Sequence, residues 1–295
     1  MIKVFTTKFD FNHYRNSLDA QKKNYKIGLV PTMGNLHKGH LSLIEKSAQD
    51  NDITVITIFV NPTQFGPTED FDKYPRTLDD DLARISSIAI TIDSNKEIVV
   101  FAPKSIEEIY PKGFSTTISI GAMKEKLEGA IRPTHFDGVT TVVYRLFSIA
   151  GAHNAYFGQK DFQQCLIIKK MVLDLELSVV IHIMPIIRNT EGLALSSRNQ
   201  YLSDKERTLA LTLPHTLNII EKLIKTNQDY KSFIEELKKD ERWNYICVLD
   251  AKSLEEPDTN TSELVIIGAF KLGNTRLLDN KLVTLKKEIT HHDGQ

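Results

Sequence analysis

The chain has 295 residues, of which 41% are hydrophobic and 25% charged, and its formal net charge is −1. This composition predicts one large or two smaller globular domains, and the near-neutral charge argues against a nucleic-acid partner bound along its backbone. No apolar run is long enough to cross a membrane, no signal-peptide core opens the chain, and two separated cysteines fit a reducing compartment. We therefore expect a cytoplasmic protein with no membrane partner.

The first predicted strand, Ile27–Val30, leads through the turn Pro31–Asn35 into a helix that opens with the string His37-Lys38-Gly39-His40. Histidines three apart on a first helical turn share one face, and they stand beside backbone N–H groups that have no partner within the helix. A helix start of this kind attracts a polyanion, and imidazole donors can follow charge that develops on a phosphate. The glycine would let a planar ligand approach the backbone. The motif indicates ATP chemistry.

A zinc site is the alternative interpretation of the histidine pair. Cys165 and Cys247 stand alone in the sequence, and no cluster with metal-ligand spacing completes a site. We therefore predict no metal ligands in the chain, and we interpret Cys165 as a core residue rather than a reactive thiol.

The next elements alternate between strand and helix. The apolar run Ile53–Val60 is typical of a strand buried on both faces, and it ends in the turn-rich segment Asn61–Pro67. A helix is predicted over Leu78–Ile88 and another strand over Ile98–Phe101. The acidic run Asp79-Asp80-Asp81 is interpreted as a solvated helix face rather than a metal site.

A helical stripe over Val139–Ala150 precedes a short strand at Ala155–Phe157. Asp161 and Gln164 have capping-box spacing, so a helix is expected to start there, and Val179–Ile187 is a further strand candidate. This alternation predicts the α/β class, with a Rossmann-like, doubly wound parallel sheet.

After about Tyr201 the pattern changes to that of a smaller α+β domain. Ser203 and Glu206 are predicted to cap a helix, and a charged helix follows at Tyr230–Lys239. The strand candidates of this part are Tyr245–Leu249, Leu264–Phe270 and Leu282–Leu285. We place the domains at residues 1–190 and 191–295 and expect the polar tail Ile289–Gln295 to be frayed.

Ligands of open α/β sheets bind at the carboxyl ends of the strands. Polar clusters follow four predicted strands, namely Met33–His40, Asn61 with Gln64, Gly158 to Gln164, and Leu195–Asn199. Each cluster alone is compatible with turn and cap chemistry, and their joint placement favours a shared site.

These clusters resemble the pantothenate synthetase family of the HxGH nucleotidyltransferase superfamily. The matching strings are Pro31–His40, Ile58–Phe65, Tyr74–Thr77, Lys126–Gly129, Phe157–Gln164, Ser196–Asn199 and Thr275–Asn280, in the family's order over nearly the whole chain. The resemblance implies ATP-dependent joining of pantoate to β-alanine through pantoyl adenylate, with Mg²⁺ on the nucleotide, small-molecule partners only, and a homodimer.

The resemblance also implies the roles of individual residues. His40, His37 and Lys160 would be catalytic, with His40 as acid or transition-state donor. The ATP site would comprise Met33, Gly34, Asn35, Leu36, His37, Lys38, Gly39, His40, Gly158, Gln159, Lys160, Asp161, Ile187, Leu195, Ser196, Ser197 and Arg198. Gln64 and Gln164, with Asn61 nearby, would bind the pantoate or β-alanine substrate, because amides both donate to and accept from hydroxyl and carboxylate groups.

Three other functions share parts of this pattern. An adenylyltransferase acting on a phosphorylated acceptor would have the same histidine motif but would need cations where Gln64 and Gln164 stand. A tRNA-charging enzyme would need a basic surface and a longer chain. A catalytically silent nucleotide sensor would be expected to lack His37, His40 or Lys160, and all three are present.

Overall fold

A computed structural model of the chain describes residues 2–21, 24–67, 69 and 71–285, so the tail Ile289–Gln295 lies outside the described residues. The chain folds as two compact units. The first comprises Met1–Ile187 with Leu195–Ser197, and the second comprises Arg188–Ala194 with Arg198–Gln295.

The first unit alternates strands and helices. In chain order they are β1 (Lys3–Phe5), α1 (Lys8–Gln21), β2 (Ile27–Thr32), α2 (Lys38–Asp50), β3 (Ile53–Ile58), α3 (Leu78–Ala89), β4 (Glu97–Phe101), α4 (Leu127–Ile131), α5 (His135–Ala150), β5 (Asn154–Gly158), α6 (Phe162–Asp174) and β6 (Val180–Met184). The strands form one parallel sheet in the order β1-β4-β3-β2-β5-β6.

Both faces of this sheet are covered, which explains the continuous apolar runs. Leu29 and Val55 belong to the core on one face together with residues of α1, α5 and α6, whereas Val30 and Ile56 belong to the core on the other face with α2 and α3. Neighbouring residues of a strand point to opposite faces, so most positions of a doubly covered strand are apolar. The predicted α/β class with a doubly wound parallel sheet is confirmed.

The strand order places a topological switch point between β2 and β5. The chain proceeds from β2 to β3 and β4 on one side, and β5 and β6 lie on the other side. Helices therefore leave these two strands toward opposite faces, and a crevice opens at their carboxyl ends. The residues that follow β2 and β5 are Met33–His40 and Gln159–Asp161, two of the clusters singled out in the sequence.

Several predicted bounds were wrong. β3 ends at Ile58 rather than Val60, because the chain turns there toward a short 3-10 helix, Pro62–Gln64. β6 ends at Met184 rather than Ile187, directly before Pro185, which has no N–H for the ladder. β1 and α1 carried no clear pattern and were not predicted.

The predicted start of α6 is confirmed, with Asp161 at the N-cap position, but the expected capping box was wrong. The helix begins at Phe162 after the 3-10 turn Gln159–Asp161, and the Asp161 side chain makes no capping hydrogen bond. Its carboxylate instead accepts a hydrogen bond from Lys160 Nζ at 2.7 Å. The ion pair thus replaces the expected cap.

The second unit is an α+β fold, as expected. Its elements are α7 (Asp204–Ala210), α8 (Thr212–Lys225), α9 (Tyr230–Leu237), β7 (Trp243–Asp250), β8 (Glu263–Leu272) and β9 (Thr275–Thr284). The three strands form an antiparallel sheet against which Leu213, Leu217 and Ile220 of α8 pack. The capping box of Ser203 and Glu206 is confirmed at the start of α7.

The last strand is longer than the predicted segment Leu282–Leu285. β9 starts at Thr275 and includes the buried polar residues Asp279 and Asn280. The Asp279 carboxylate accepts hydrogen bonds from Arg188 Nη1 and Nη2 at 2.6 and 2.8 Å, which compensates its burial. A strand with buried charge lacks the apolar alternation on which the prediction depended.

Among the described residues, no helix has both the length and the apolar composition that a membrane crossing requires.

Candidate active site

The two histidines of the His-x-Gly-His string cap the helix that they open. His37 is the N-cap of α2, and its Nδ1 accepts the N–H of Gly39 at 3.1 Å. His40 Nδ1 accepts the N–H of His37 at 3.3 Å, and the two ring centroids are 4.1 Å apart. The pair therefore forms a capping box built from imidazoles, where serine and glutamate are usual.

The histidine side chains themselves accept two of the N–H groups at the helix start. The N–H groups of His37 and Gly39 donate to imidazole nitrogens, and the N–H of His40 donates to the carbonyl of His37 at 2.8 Å. Because each Nδ1 accepts, the proton of each neutral ring lies on Nε2. Anion binding at this helix start would thus depend on the two Nε2–H donors.

Both imidazoles are uncharged at neutral pH. Burial lowers the pKa of His40 to about 3, and its neighbour His37 lowers it further. Burial also lowers the pKa of His37 to about 4, with a further contribution from the positive charge of Lys160. Each ring therefore presents a neutral donor, whose pKa a bound polyanion would raise.

Gly39 has a structural reason to be glycine. A Cβ at this position would lie 2.9 Å from His37 Cε1 and 3.0 Å from His37 Nδ1. The imidazole of His37 folds back over the Gly39 backbone, so a side chain there would displace the cap.

The solvated interpretation of the acidic run holds for Asp79 and Asp80, which are exposed, and was wrong for Asp81. Asp81 is only 1% exposed, and its carboxylate accepts the N–H groups of Asn35 at 2.9 Å and Leu36 at 2.7 Å. The sequence did contain a signal, because Asp81 shares the buried face of α3 with Ile85 and Ile88 at i, i+4 and i+7.

Lys160 and Asp161 follow β5 on the other side of the switch point. The charges of both residues influence the pKa of His37 and of His40, so the structure brings these four side chains together. Gly158, just before them, has extended backbone angles, and a Cβ there would have no protein atom within 4 Å. Space is therefore open above this glycine.

Asn61 and Gln64 form a pair after β3. Asn61 is buried, and its Nδ2 donates to Gln64 Oε1 at 3.1 Å and to the Gly138 carbonyl at 3.2 Å. Gln64 Nε2 donates to Met33 Sδ at 3.0 Å. Asn61 thus orients the amide of Gln64, and Met33 connects that amide to the loop before α2.

Two residues that the sequence analysis did not assign hold the backbone of Gln64. Its carbonyl oxygen accepts from His135 Nδ1 at 2.9 Å and from Arg132 Nη2 at 3.2 Å. Arg132 also pairs with Glu69, whose pKa its hydrogen bonds hold below the usual range despite burial. Burial lowers the pKa of His135 to about 4. No local sequence pattern predicts these contacts, because they join segments about seventy residues apart.

The other residues predicted for the ATP and substrate sites differ in their contacts and in their exposure. Ser197 Oγ donates to the Asn35 carbonyl at 3.4 Å, and the N–H of Leu195 donates to the Ile187 carbonyl at 2.9 Å. Gln159, Gln164 and Ser196 are half-buried, Lys38 is exposed, and Arg198 belongs to the second unit.

Cys165 is fully buried in α6, with its Sγ 3.4 Å from the carbonyl oxygen of Gly158. Burial raises the pKa of this thiol well above its usual value. The prediction of a core role is confirmed.

The parallel sheet with the His-x-Gly-His helix at its switch point is that of an α/β enzyme with its candidate site at the carboxyl ends of β2 and β5. The family model "Pantoate-beta-alanine ligase" matches residues 3–282. The chain belongs to the pantoate–β-alanine ligase family.

Relatives and solved structures agree with this assignment. The chain is 47% identical over 264 residues to a pantothenate synthetase of Acetivibrio thermocellus, an alignment that covers 87% of this chain and 91% of the relative. A crystal structure of pantothenate synthetase from Thermus thermophilus is 35% identical, with a TM-score of 0.84 over 95% of this chain and 98% of that one. A pantoate–β-alanine ligase from Francisella tularensis, complexed with β-γ ATP and β-alanine, is 32% identical, with a TM-score of 0.74 over 96% and 98%.

Proposed function

We propose that this chain condenses pantoate with β-alanine at the expense of ATP, through a pantoyl-adenylate intermediate. Family membership supports the reaction, and so does the similarity to a ligase whose structure was determined with β-γ ATP and β-alanine. The single observation that carries the proposal is the cluster of His37 and His40 with Lys160 at the switch point of the sheet.

The first step needs positioning and charge neutralisation more than proton transfer. A pantoate carboxylate oxygen attacks the α-phosphorus, the bond from that phosphorus to the β-phosphate oxygen breaks, and pyrophosphate leaves. The carboxylate is already ionised at pH 7, so no general base is required. What lowers the barrier is stabilisation of negative charge on the phosphate oxygens.

The histidines are suited to this task as hydrogen-bond donors. Each Nδ1 is occupied as an acceptor, so each Nε2–H is available to a phosphate oxygen. Lys160 supplies the positive charge beside them. We assign His40, His37 and Lys160 as catalytic, and with a pKa of about 3 in the free protein His40 acts as a transition-state donor rather than a proton-transferring acid.

The ATP site proposed for the first unit contains the residues that follow β2 and β5, together with Ile187 and Leu195–Ser197. The open space above Gly158 supports this assignment, because nucleotide could pass close to the backbone there. Arg198, in the second unit, stays a prediction.

The acid substrate is assigned to Gln64 and Gln164, with Asn61 orienting Gln64. Amide groups can pair with both the hydroxyls and the carboxylate of pantoate. In the second step the β-alanine nitrogen attacks the acyl carbon, the bond from that carbon to the AMP oxygen breaks, and the amine gives up a proton as the amide forms.

Mg²⁺ is proposed to enter as part of the substrate MgATP, bound mainly by phosphate oxygens and water. Within residues 2–21, 24–67, 69 and 71–285, no group of three or more His, Cys, Asp or Glu side chains is placed to hold a metal ion. Chelation of Mg²⁺ should therefore abolish turnover without lowering the melting temperature of the ligand-free protein.

We also propose that the protein is a homodimer and that it is located in the cytoplasm. The two free cysteines, Cys165 and Cys247, fit a reducing compartment. Light scattering should give a mass near twice the 33.5 kDa of one chain, and a mass of one chain would contradict the dimer.

The experiment that tests the mechanism uses pantoate labelled with ¹⁸O in its carboxylate. An acyl adenylate leaves one carboxylate oxygen on AMP when the amide forms, so the AMP should carry label. Amide product with unlabelled AMP would overturn the adenylate route. Absence of any product from this substrate pair would instead favour adenylyl transfer to a phosphorylated acceptor.

A further inference from the structure

The carboxylate of Asp81 holds the loop that leads into the histidine motif. Its Oδ2 accepts the N–H of Asn35 at 2.9 Å and its Oδ1 accepts the N–H of Leu36 at 2.7 Å. Thr77 Oγ1, at the start of α3, donates to Oδ2 at 3.3 Å. The side chain is 1% exposed, so backbone amides and a hydroxyl, rather than water, solvate this buried group.

We call the Asp81 carboxylate with the N–H groups of Asn35 and Leu36 the Asp81 clamp, and the loop has the backbone shape that this clamp requires. Gly34 and Asn35 have φ angles of +83° and +51°, so both are left-handed. Successive N–H groups then turn toward one point, as in an anion-binding nest, and Asp81 occupies that point. A Cβ at Gly34 would lie 3.0 Å from Asp81 Oδ2, so the glycine also makes room for the carboxylate.

The Asp81 clamp holds the chain directly before the His-x-Gly-His motif. Leu36 immediately precedes His37, the N-cap whose imidazole and N–H set the positions of both rings. Asp81 therefore connects α3 to the start of α2 and fixes where the two Nε2–H donors lie. A shift of about 1 Å in such donors costs up to roughly 10²-fold in rate.

We propose that Asp81 is a positioning residue for adenylation, which acts through the backbone of Asn35 and Leu36 to hold His37 and His40 against the reacting phosphates. The proposal rests on the proposed function, because adenylation is the step that the histidines serve. In this role Asp81 acts through the groups that donate to its carboxylate, the N–H groups of Asn35 and Leu36 and the Thr77 hydroxyl.

Asp81→Asn is a nearly isosteric test. An amide keeps one acceptor oxygen but turns an NH₂ group toward one of the two backbone N–H donors, which leaves that donor without an acceptor. Asp79→Asn is the matched control, because Asp79 lies in the same acidic run and is exposed.

The expected result is a loss of about 10- to 10²-fold in the single-turnover rate of pyrophosphate release for Asp81→Asn, with KM for ATP and pantoate changed less than about threefold. Asp79→Asn should match the wild type. In a His40→Ala background the further effect of Asp81→Asn should fall below about threefold, since residues that act as one unit are not additive.

Two results would overturn the proposal. An equal fold-loss with and without His40 would show that Asp81 acts through general stability, and an unchanged rate would show that it does not act on catalysis. If Asp81→Asn does not fold, Thr77→Val removes only the hydroxyl donor, and it should give a smaller loss with the same dependence on His40.

A readout without substrate separates this proposal from the proposed function. Amide hydrogen exchange at Asn35 or Leu36, whichever loses its acceptor, should be about tenfold faster in Asp81→Asn than in the wild type, while exchange in α5 stays the same. Failure of the wild type to release pyrophosphate with pantoate would discard the function but leave this exchange result intact. Unchanged exchange at both amides would discard the clamp even in an active enzyme.

Discussion

Gly138→Ala tests whether the packing of α5 against the 3-10 helix Pro62–Gln64 positions Gln64. A Cβ at residue 138 would lie 2.2 Å from the Thr63 carbonyl oxygen and 2.6 Å from the Gln64 nitrogen. These are backbone atoms, so no side-chain rotation relieves the overlap. Ordinary contact begins at 3.4 Å, and the segment must therefore move by roughly 1 Å.

Two opposing effects set the change in stability. Alanine favours a helix interior over glycine by about 1 kcal/mol, whereas overpacking of this kind costs about 1–3 kcal/mol. We expect a net destabilisation of up to about 2 kcal/mol. The displaced Gln64 should lower kcat/KM for pantoate by about 10- to 10²-fold, because that amide would no longer meet its substrate.

The assay varies pantoate and ATP separately and measures unfolding by denaturant. Ser148→Ala, an exposed change in the same helix, is the control and should leave both constants unchanged. The KM for ATP of Gly138→Ala should stay within about threefold of the wild type, since the added Cβ meets Thr63 and Gln64, and the Met33–His40 loop is affected only through the contact of Gln64 with Met33. Wild-type kinetics for pantoate in Gly138→Ala would show that the packing of α5 does not position Gln64.

Four further predictions concern the site. His40→Ala should reduce the adenylation rate by about 10²–10³-fold while the fold is retained, and a near-normal single-turnover rate would contradict its role as a donor. Gln64→Ala should raise KM for pantoate more than KM for ATP. Gly158→Ala should raise KM for ATP more than KM for pantoate, and its melting temperature should be unchanged because the added Cβ would enter open space at ordinary backbone angles. Equal effects on both KM values would contradict the assignment of the residue concerned. Stability of the ligand-free protein should be level above about pH 6.5 and fall as the pH drops toward 4, because His37, His40 and His135 bind a proton more readily in the unfolded chain than in the fold, where their pKa values are about 4, about 3 and about 4. In denaturant titrations the free energy of unfolding of His135→Asn should fall less than that of the wild type, by on the order of 2–3 kcal/mol at pH 4. An equal fall in both proteins would contradict the contribution of His135.

The sheet and its switch point could be predicted because parallel strands covered on both faces leave a strong local signal. The apolar runs at Ile53–Ile58 and Ile98–Phe101 and the stripe of α5 are of this kind. The polar clusters at the ends of β2 and β5 then define a crevice by topology alone.

The parts that could not be predicted depend on partners far away in sequence. Asp81 shares the apolar face of α3, but the donors that make its burial favourable, the N–H groups of Asn35 and Leu36 and the Thr77 hydroxyl, include two that lie far away in sequence. Asp279 in β9 is comparable, since Arg188 compensates its charge. Local pattern reports which face of an element is apolar, and it does not report which distant donor satisfies a buried acceptor.

The histidine capping box lies between these two cases. The motif itself pointed to phosphate chemistry, but the use of each Nδ1 as an acceptor emerged only from the geometry at the start of α2. That detail leaves Nε2–H as the donor of each ring, and of the two roles expected for His40, acid or transition-state donor, it favours the second.

Pyrophosphate release from ATP with pantoate alone, followed by addition of β-alanine, is the measurement that bears on the pantoyl-adenylate intermediate itself. We expect a pantoate-dependent burst near one equivalent per site, then steady turnover with AMP and amide product once the amine is present. Pyrophosphate release that requires β-alanine from the start, or that ignores pantoate, would contradict a pantoyl-adenylate intermediate formed at this site.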